Sequence, residues 1–227
     1  MERVIMTKFS RQEYIIYDLP LLSYAASCKW PVKTVGDIAK VIGGGTPDTG
    51  VPQYWNPAEI PWATPTDITS CKGIYINKTE RNISQMGLQS CSATLLPQNS
   101  CLLTSRATIG ECRINTIPMA TNQGFAALVP KAGTNSYFLF YLTYLLKPTF
   151  VRLAAGTTYT EISKRELRRV KCRVPETEEE QAKIANVIKA VDDALACTPD
   201  ESLMLMRTSL VQNLMTGKVY LKPEASK

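Results

Sequence analysis

Two short polar segments carry the side chains best suited to bind the edges of nucleic-acid bases. One contains Ser105 and Arg106, and the other contains Thr121, Asn122 and Gln123. Arginine forms a paired hydrogen bond with guanine, and asparagine or glutamine forms one with adenine. An ordinary polar turn would present the same residue types, so both interpretations stand at this point.

A third candidate is a strongly basic segment near residue 170. Its cations are Lys164, Arg165, Arg168, Arg169, Lys171 and Arg173. Val170, Cys172 and Val174 alternate with the last three of these cations, which is the period of a half-buried strand. The outward-facing edge would either contact DNA phosphates and position the protein on a duplex, or be a solvated strand face.

The sequence lacks the side chains of the common catalytic sites. It contains no histidine, which removes histidine-based triads, histidine-ligated zinc and the zinc-dependent base deaminases. The glycines at 43–45 lack the strand–loop–helix frame of a phosphate-binding loop, and no dinucleotide-binding fingerprint occurs. No pair or cluster of carboxylates is marked out for acid–base chemistry or for a metal. We therefore expect no catalytic residue, no metal and no cofactor.

Charge and cysteine spacing indicate a cytoplasmic protein. The chain of 227 residues has a net charge of +6, which permits a polyanionic partner without proving one. Its seven cysteines form no CxxC pair and follow no secretory signal, so we expect small buried thiols in a reducing cytosol. The longest apolar stretch, residues 137–146, is far shorter than the roughly 20 residues of a membrane span. No membrane contact is expected.

Residues 31–135 are expected to form strands and turns. Glycines at 43–45 and prolines between residues 52 and 65 exclude a long helix there. Short strands are predicted at residues 73–77, 100–105, 110–115 and 124–130, each bounded by turn residues. Tyr54, Trp55 and Trp62 are expected in the core. Residues 136–155 predict a buried pair of helices broken near Pro148.

The C-terminal segment predicts helices. Thr177 and Glu180 have the spacing of a capping box, and a second start signal lies at residues 198–201. Two helices joined at Pro199 would fit, and so would one kinked helix, which unbroken over residues 177–216 would be about 60 Å long. Apolar residues line one face of each helix. That face would dock a partner or pack on the chain's own domain.

Six motif segments then follow one another along the chain. The first comprises GGGTP, QYWN and IPWATP between residues 43 and 65, and the other five are LTSRATIG at 103–110, ATNQGF at 120–125, GTTYTEISK at 156–164, EEQAKIA at 179–185 and LMTGKV at 214–219. In this order, and over residues 31–222, they resemble the specificity subunits of type I restriction–modification systems.

The resemblance implies an α+β fold. A mixed α/β target-recognition domain would occupy residues 31–175, and a long helix that forms coiled coils would occupy residues 176–227. Residues 1–30 would be an N-terminal extension. In this family the subunit is not an enzyme. It reads double-stranded DNA and scaffolds modification (methyltransferase) subunits, onto which restriction subunits assemble.

The chain is about half the length of a usual family member, which carries two recognition domains and reads two half-sites. The resemblance therefore implies a homodimer that reads an inverted repeat, with one half-site per copy. Two alternatives stand beside this interpretation. One is a DNA-modifying enzyme, against which the missing catalytic motifs argue. The other is a DNA-binding or protein-scaffold adaptor outside restriction that oligomerises through its C-terminal helix.

Particular residues are assigned to these roles as expectations. The expected DNA contacts are Thr46, Lys72, Lys78, Ser105, Arg106, Asn122, Gln123, Lys164 and Arg165. The expected contacts with a second copy or a modification subunit are Ile184, Val187, Ile188, Val191, Leu203, Leu210 and Leu214.

Overall fold

The computed structural model describes residues 30–106, 108–155, 161–198 and 200–219, and the backbone of two short strands in the predicted N-terminal extension. These strands, β1 (Ile5–Met6) and β2 (Ile15–Ile16), pair antiparallel. Cys28, Pro199 and most of the motif at residues 156–164 lie outside the described residues. The fold is α+β, as predicted.

Short strands alternate with helices from residue 32 onward. In chain order the elements are β3 (Val32–Thr34), α1 (Val35–Ile38), β4 (Ala39–Gly43), a 3-10 helix (Pro52–Tyr54), β5 (Ile60–Ala63), α2 (Pro65–Ser70), β6 (Tyr75–Ile76), β7 (Arg81–Ile83), α3 (Gln85–Gln89), β8 (Cys101–Leu103), β9 (Cys112–Asn115), β10 (Ala120–Thr121), β11 (Ala126–Pro130), α4 (Ser136–Ala155), α5 (Lys164–Arg169), β12 (Lys171–Arg173), α6 (Glu178–Cys197) and α7 (Glu201–Met215).

The strands assemble into two main sheets. The larger has five strands in the order β4-β11-β8-β9-β6, and the smaller has three in the order β10-β5-β7. Strands β12 and β3 form a separate antiparallel pair. The four strands predicted between residues 73 and 130 are confirmed as β6, β8, β9 and β11, and with β4 they make up the larger sheet.

Helix α4 is continuous through Pro148, so the prediction of two helices broken at this residue is wrong. A proline inside a helix costs about 3 kcal/mol or more, because it removes a hydrogen bond and clashes with the preceding turn. Leu146, Phe150 and Ala154, on both sides of the proline, are all buried in one hydrophobic cluster. Their burial offsets the local penalty. Although α4 is largely apolar, no helix in the described part of the chain is long and apolar enough to cross a membrane.

The C-terminal segment forms two helices rather than one kinked helix. Thr177 caps α6 by accepting a hydrogen bond from the Glu180 N–H (3.2 Å), and Asp200 caps α7 by accepting one from the Leu203 N–H (3.0 Å). The predicted capping box is only half formed at α6. The Glu180 carboxylate instead accepts a hydrogen bond from the indole N–H of Trp30 (3.0 Å), which ties the start of α6 to the body of the protein.

An ion pair holds α6 and α7 against each other. Asp192 of α6 binds Arg207 of α7, and it also accepts a hydrogen bond from the Tyr141 hydroxyl of α4 (2.7 Å). Burial, with the bond to Asp192, raises the pKa of Tyr141, so its hydroxyl remains a donor. The guanidinium of Arg207 also lies 5.0 Å from the ring centroid of Tyr144. The chain therefore doubles back after α6, and we call α6 and α7 the helical hairpin.

One hydrophobic core joins the helical hairpin to the rest of the protein. Ile184 and Ile188 of α6 and Leu214 of α7 belong to the same buried cluster as Leu103 of β8 and Phe150 of α4. The helical hairpin and the preceding elements therefore share one core, and the division at residue 175 stays a prediction.

The cysteines differ in burial. Cys101, Cys112 and Cys172 are buried, as expected, and Cys197 at the end of α6 is exposed, contrary to expectation. Burial raises the pKa of Cys101 well above its ordinary value and that of Cys172 to about 12. Protonated, buried thiols are unreactive. Cys197 is exposed because it lies at the far end of the helical hairpin, where neighbouring residues are also exposed.

Replacing Ile188 by alanine tests the packing of the helical hairpin on the elements between residues 32 and 173, which we call the sheet domain. Ile188 is fully buried, so Ile188→Ala should lower the free energy of unfolding by about 2–5 kcal/mol in urea denaturation. Met86→Ala is the control, because Met86 is 57% exposed on α3 and should change the stability by less than about 0.5 kcal/mol. Equal stability of the two variants would contradict this packing.

Candidate nucleic-acid interface

Three neighbouring strands bring their connecting loops to one end of the five-stranded sheet. Gly43, the last residue of β4, pairs with Ala126, the first residue of β11. Thr104, which directly follows β8, forms a bridge with Phe125. The loops at residues 44–46, 105–106 and 121–124 therefore emerge side by side, and we call them the loop cluster.

Gly44 and Gly45 let their loop approach the backbone of the loop at residues 121–124 closely. The Gly45 N–H donates to the Thr121 carbonyl (3.0 Å), and a Cβ on Gly44 would lie 2.1 Å from the Asn122 carbonyl oxygen. No other residue fits at position 44 unless the backbone shifts. The indole N–H of Trp62 donates to the Gly45 carbonyl (2.9 Å). Trp62 is buried, as predicted, and holds this loop from the protein interior.

Thr46, Asn122 and Gln123 lie together at the surface of the loop cluster. The Thr46 hydroxyl donates to the side-chain oxygen of Gln123, and both residues are exposed. The side-chain oxygen of Asn122 accepts a hydrogen bond from the Gly124 N–H (2.8 Å), so this asparagine shapes the loop. Neither amide uses its NH2 group in a hydrogen bond to the residues that the structure describes. These two groups can therefore donate to a ligand.

Ser105 and Arg106 have different surroundings. Ser105 is only 2% exposed, and its N–H donates to the Gly124 carbonyl (2.8 Å), so it braces the loop cluster from inside. The side chain of Arg106 is 49% exposed, and its Nε lies 2.9 Å from Oε2 of Glu161 in an ion pair. Arg106 therefore presents a cation at the rim of the cluster, in an orientation that Glu161 fixes.

Helix α5 adds cations beside the loop cluster. Ser163 and Glu166 form a capping box at its start, so the acid of this helix is engaged with the helix's own backbone. Lys164 lies over Gly43, where a Cβ would come within 2.5 Å of the lysine Nζ. Arg165 is exposed next to it. These two cations therefore flank the loops at the β4 edge of the sheet.

Strand β12 continues the basic segment. The residues predicted to face inward are buried, namely Val170, Cys172 and Val174. Lys171 is exposed, as predicted. Arg173 differs from the prediction, because it is half-buried and donates to the Trp30 carbonyl (2.8 Å). Its guanidinium serves the fold rather than the surface.

Lys72 and Lys78 lie away from the loop cluster. Both flank β6, which is at the opposite edge of the five-stranded sheet from β4. The four strand spacings between these edges amount to roughly 19 Å. Lys78 also follows the end of β6 that points away from the cluster, since β6 runs parallel to β9. Both lysines are exposed, but the fold does not bring them to the other predicted contacts.

Arg81 lies next to the loop cluster and is not among the predicted DNA contacts. The guanidinium carbon of Arg81 lies 3.8 Å from the ring centroid of Trp55, and the rings of Trp55 and Trp62 meet edge to face at 5.4 Å. Tyr54 and Trp55 are half-buried rather than in the core, contrary to prediction. No local pattern marks Arg81, because it reaches the tryptophans only through the pairing of β7 with β5.

The residues predicted at the helical interface lie mostly inside the protein. Ile184, Ile188 and Leu214 are buried in the common core, and Val187 and Leu210 pack partly against it. Val191 and Leu203 are half-exposed. The exposed large apolar side chains of α7 are Met204, Leu205 and Met206. A partner contact at the buried positions stays a prediction, and their observed contacts are within the chain.

The loop cluster offers hydrogen-bond donors and positive charge. Within residues 30–106, 108–155, 161–198 and 200–219, no three cysteine or carboxylate side chains converge as metal ligands. Amide, hydroxyl, guanidinium and ammonium groups are suited to binding a polyanion such as a nucleic-acid backbone.

Comparisons with known proteins agree on one family. Residues 28–201 match the type I restriction modification DNA specificity domain. The chain is 38% identical over 183 residues to the type I restriction enzyme MjaIX specificity subunit of Methanocaldococcus jannaschii, covering 80% of this chain and 42% of that protein. It is 25% identical over 189 residues to the EcoR124I/EcoR124II specificity subunit of Escherichia coli, covering 80% of this chain and 45% of that protein.

A solved structure shares the fold. The HsdS subunit from Thermoanaerobacter tengcongensis superposes with a TM-score of 0.56 at 20% sequence identity, covering 84% of this chain and 45% of that one. The chain thus spans less than half the length of each of these relatives.

Replacing Gly44 by alanine tests how the loop cluster is built. The added Cβ would collide with the Asn122 carbonyl, so Gly44→Ala should lower the free energy of unfolding by about 1–3 kcal/mol in urea denaturation. Gly50→Ala is the matched control, because a Cβ there meets only Asp48 Oδ1 at 3.3 Å, and its effect should be below about 1 kcal/mol. If both variants keep wild-type stability, the contact between Gly44 and the Asn122 carbonyl is not tight.

Proposed function

The chain belongs to the type I restriction modification DNA specificity family, and from this premise we propose that it is a DNA sequence-specificity subunit. It binds double-stranded DNA, reads one half of a bipartite target and has no catalytic activity of its own. It acts in the cytoplasm as the recognition component of a bacterial defence system. The specificity subunits to which it is similar support this assignment.

The loop cluster is the observation that carries the proposal. It brings Asn122, Gln123 and Arg106 to one end of the sheet, and it places Lys164 and Arg165 beside them. Amide and guanidinium groups read base edges, whereas lysines contact phosphates and fix the position of the protein on the duplex. A duplex that crosses this end of the sheet would meet both kinds of contact at once.

A symmetric assembly is part of this proposal. The region that matches the curated relatives covers 42% and 45% of their lengths, so two such regions would be needed to match one relative. A two-fold homodimer presents the same surface twice in opposite orientations, and it would read an inverted repeat. Each copy would contribute one half-site.

The far end of the helical hairpin is the surface we assign to this self-association. It extends beyond the Asp192–Arg207 ion pair, where Asp192 also binds Tyr141 of α4. Met204, Leu205 and Met206 are exposed there, and exposed apolar patches mark interaction sites. Two such ends would pair as a coiled-coil-like bundle. Modification subunits would dock on the dimer, and restriction subunits would join through them.

DNA binding should depend on salt through the cations of α5. Each phosphate contact adds about 0.9 to the slope of log affinity against log salt, because it releases bound counterions. Lys164→Ala combined with Arg165→Ala should therefore reduce this slope by up to about 1.8 in fluorescence anisotropy with duplex DNA.

Lys183→Ala is the control for this experiment. Lys183 is exposed and pairs with Glu179 near the start of α6. In the same turn, Gln181 donates to the carbonyl of Gly133, which follows the end of β11 that points away from the loop cluster. It should leave the slope unchanged. A wild-type chain whose DNA affinity stays flat as salt rises would overturn the DNA-binding proposal and favour a protein-scaffold adaptor.

Leu205→Asp should break the homodimer without unfolding the chain. Leu205 is exposed, so the substitution removes no intramolecular packing and instead introduces a charge into the proposed contact. Light scattering should give the mass of a dimer for the wild-type chain and that of a monomer for Leu205→Asp. Addition of a type I modification subunit from the same organism should yield a complex with two modification subunits.

The exposed Asn186 on α6 provides the control. Asn186→Asp introduces the same charge about 16 Å before the end of α6, away from the proposed contact, and should leave the dimer intact. If Leu205→Asp also remains a dimer, the contact lies elsewhere. If the wild-type chain is a monomer that ignores the modification subunit, the assembly proposal fails.

A further inference from the structure

We propose that Arg81 is a further specificity-determining residue, which reads a guanine next to the bases reached from the loop cluster. This inference rests on the proposed function and adds a contact that lies outside the predicted DNA-binding residues. It starts from the position of Arg81 in the three-stranded sheet. Arg81 pairs with Trp62, and Trp62 pairs with Ala120.

The sheet places Arg81 close to the amides of the loop cluster. Strand β7 lies two strands from β10, which corresponds to about 10 Å between their backbones. Strand β10 leads directly into Asn122 and Gln123. Because the major groove is about 12 Å wide, one groove can accommodate side chains from both strands.

The direction of the Arg81 side chain follows from its register. Residues directly opposite each other on neighbouring strands lie on the same face of a sheet, so Arg81 shares the face of Trp62. On this face the Trp62 indole N–H binds the Gly45 carbonyl (2.9 Å), in the residue just before Thr46. Arg81 is therefore on the side of the sheet that carries the glycine loop.

Two tryptophans hold the guanidinium in place. Its central carbon lies 3.8 Å from the ring centroid of Trp55 and 5.5 Å from that of Trp62. The indole N–H of Trp55 is fixed on the Asp48 carbonyl (3.0 Å), so the platform under the guanidinium is itself anchored. A stacked arginine is pre-organised and loses little conformational freedom when it binds a base.

The donors of Arg81 remain available for a ligand. Among the described residues its guanidinium forms no ion pair, and the residue is exposed. Other arginines of the protein are engaged with carboxylates or backbone carbonyls, namely Arg106, Arg113, Arg168, Arg173 and Arg207. A planar fork of free N–H groups matches O6 and N7 of guanine. Stacking on Trp55 leaves the edge of this fork open.

Selection from a pool of randomised DNA duplexes tests the assignment. Wild-type chain should enrich a motif, and Arg81→Ala should lose the preference for guanine at one position by about 5- to 150-fold, the loss of one bidentate contact. Preferences at the other positions should persist. Arg81→Lys keeps the charge but has neither the planar stack nor the fork, so it should retain the salt dependence of binding and lose most of the guanine preference.

The possible outcomes separate this inference from the proposed function. A wild-type chain that enriches no motif and binds DNA without salt dependence removes the proposed function itself. A wild-type motif that Arg81→Ala or Arg81→Lys reproduces unchanged overturns the role of Arg81 alone. A loss of base preference at every position in Arg81→Ala, fully restored in Arg81→Lys, also overturns this role. In that case Arg81 would only shield the tryptophans from solvent. Lys183→Ala should enrich the wild-type motif.

Discussion

The rest of the structure depends on the burial of helix α4 on both of its faces. One face packs against β8 and β9, and the other packs against the helical hairpin. Phe138, Tyr141 and Phe150 are fully buried between them. Interiors are close-packed and transmit displacement, so a helix held between two layers makes them one mechanical unit. The same packing carries the helix through Pro148, where sequence alone predicts a break.

The loop cluster is held by its backbone rather than by the side chains that it displays. Gly44 lets two loops touch, the Gly45 N–H closes the contact, and the Trp62 indole fixes the loop from within. None of these bonds uses the exposed NH2 group of Gln123. A surface built in this way can change its displayed side chains without losing its frame. Recognisable motifs therefore mark the frame, and the residues that read bases need not be part of them.

Sequence patterns predicted helices and strands well where the burial of a residue follows from its neighbours along the chain. The alternation at Val170, Cys172 and Val174 gave β12, and turn residues bounded the strands of the larger sheet. Contacts across the fold could not be predicted this way. Glu180 completes a capping box in the sequence but binds Trp30, 150 residues away. The stack of Arg81 on Trp55 likewise depends on a strand register that no periodicity encodes.

The ion pair between Asp192 and Arg207 sets a limit on how far two recognition surfaces can be separated in the proposed dimer. An unbroken helix over residues 177–216 would be about 60 Å long. The chain instead turns back after the 20 residues of α6, which extend about 30 Å. Since the helical hairpin also shares its core with the sheet domain, it cannot swing out without exposing Ile184 and Ile188. In the proposed dimer, the shorter helix would therefore set the spacing between half-sites.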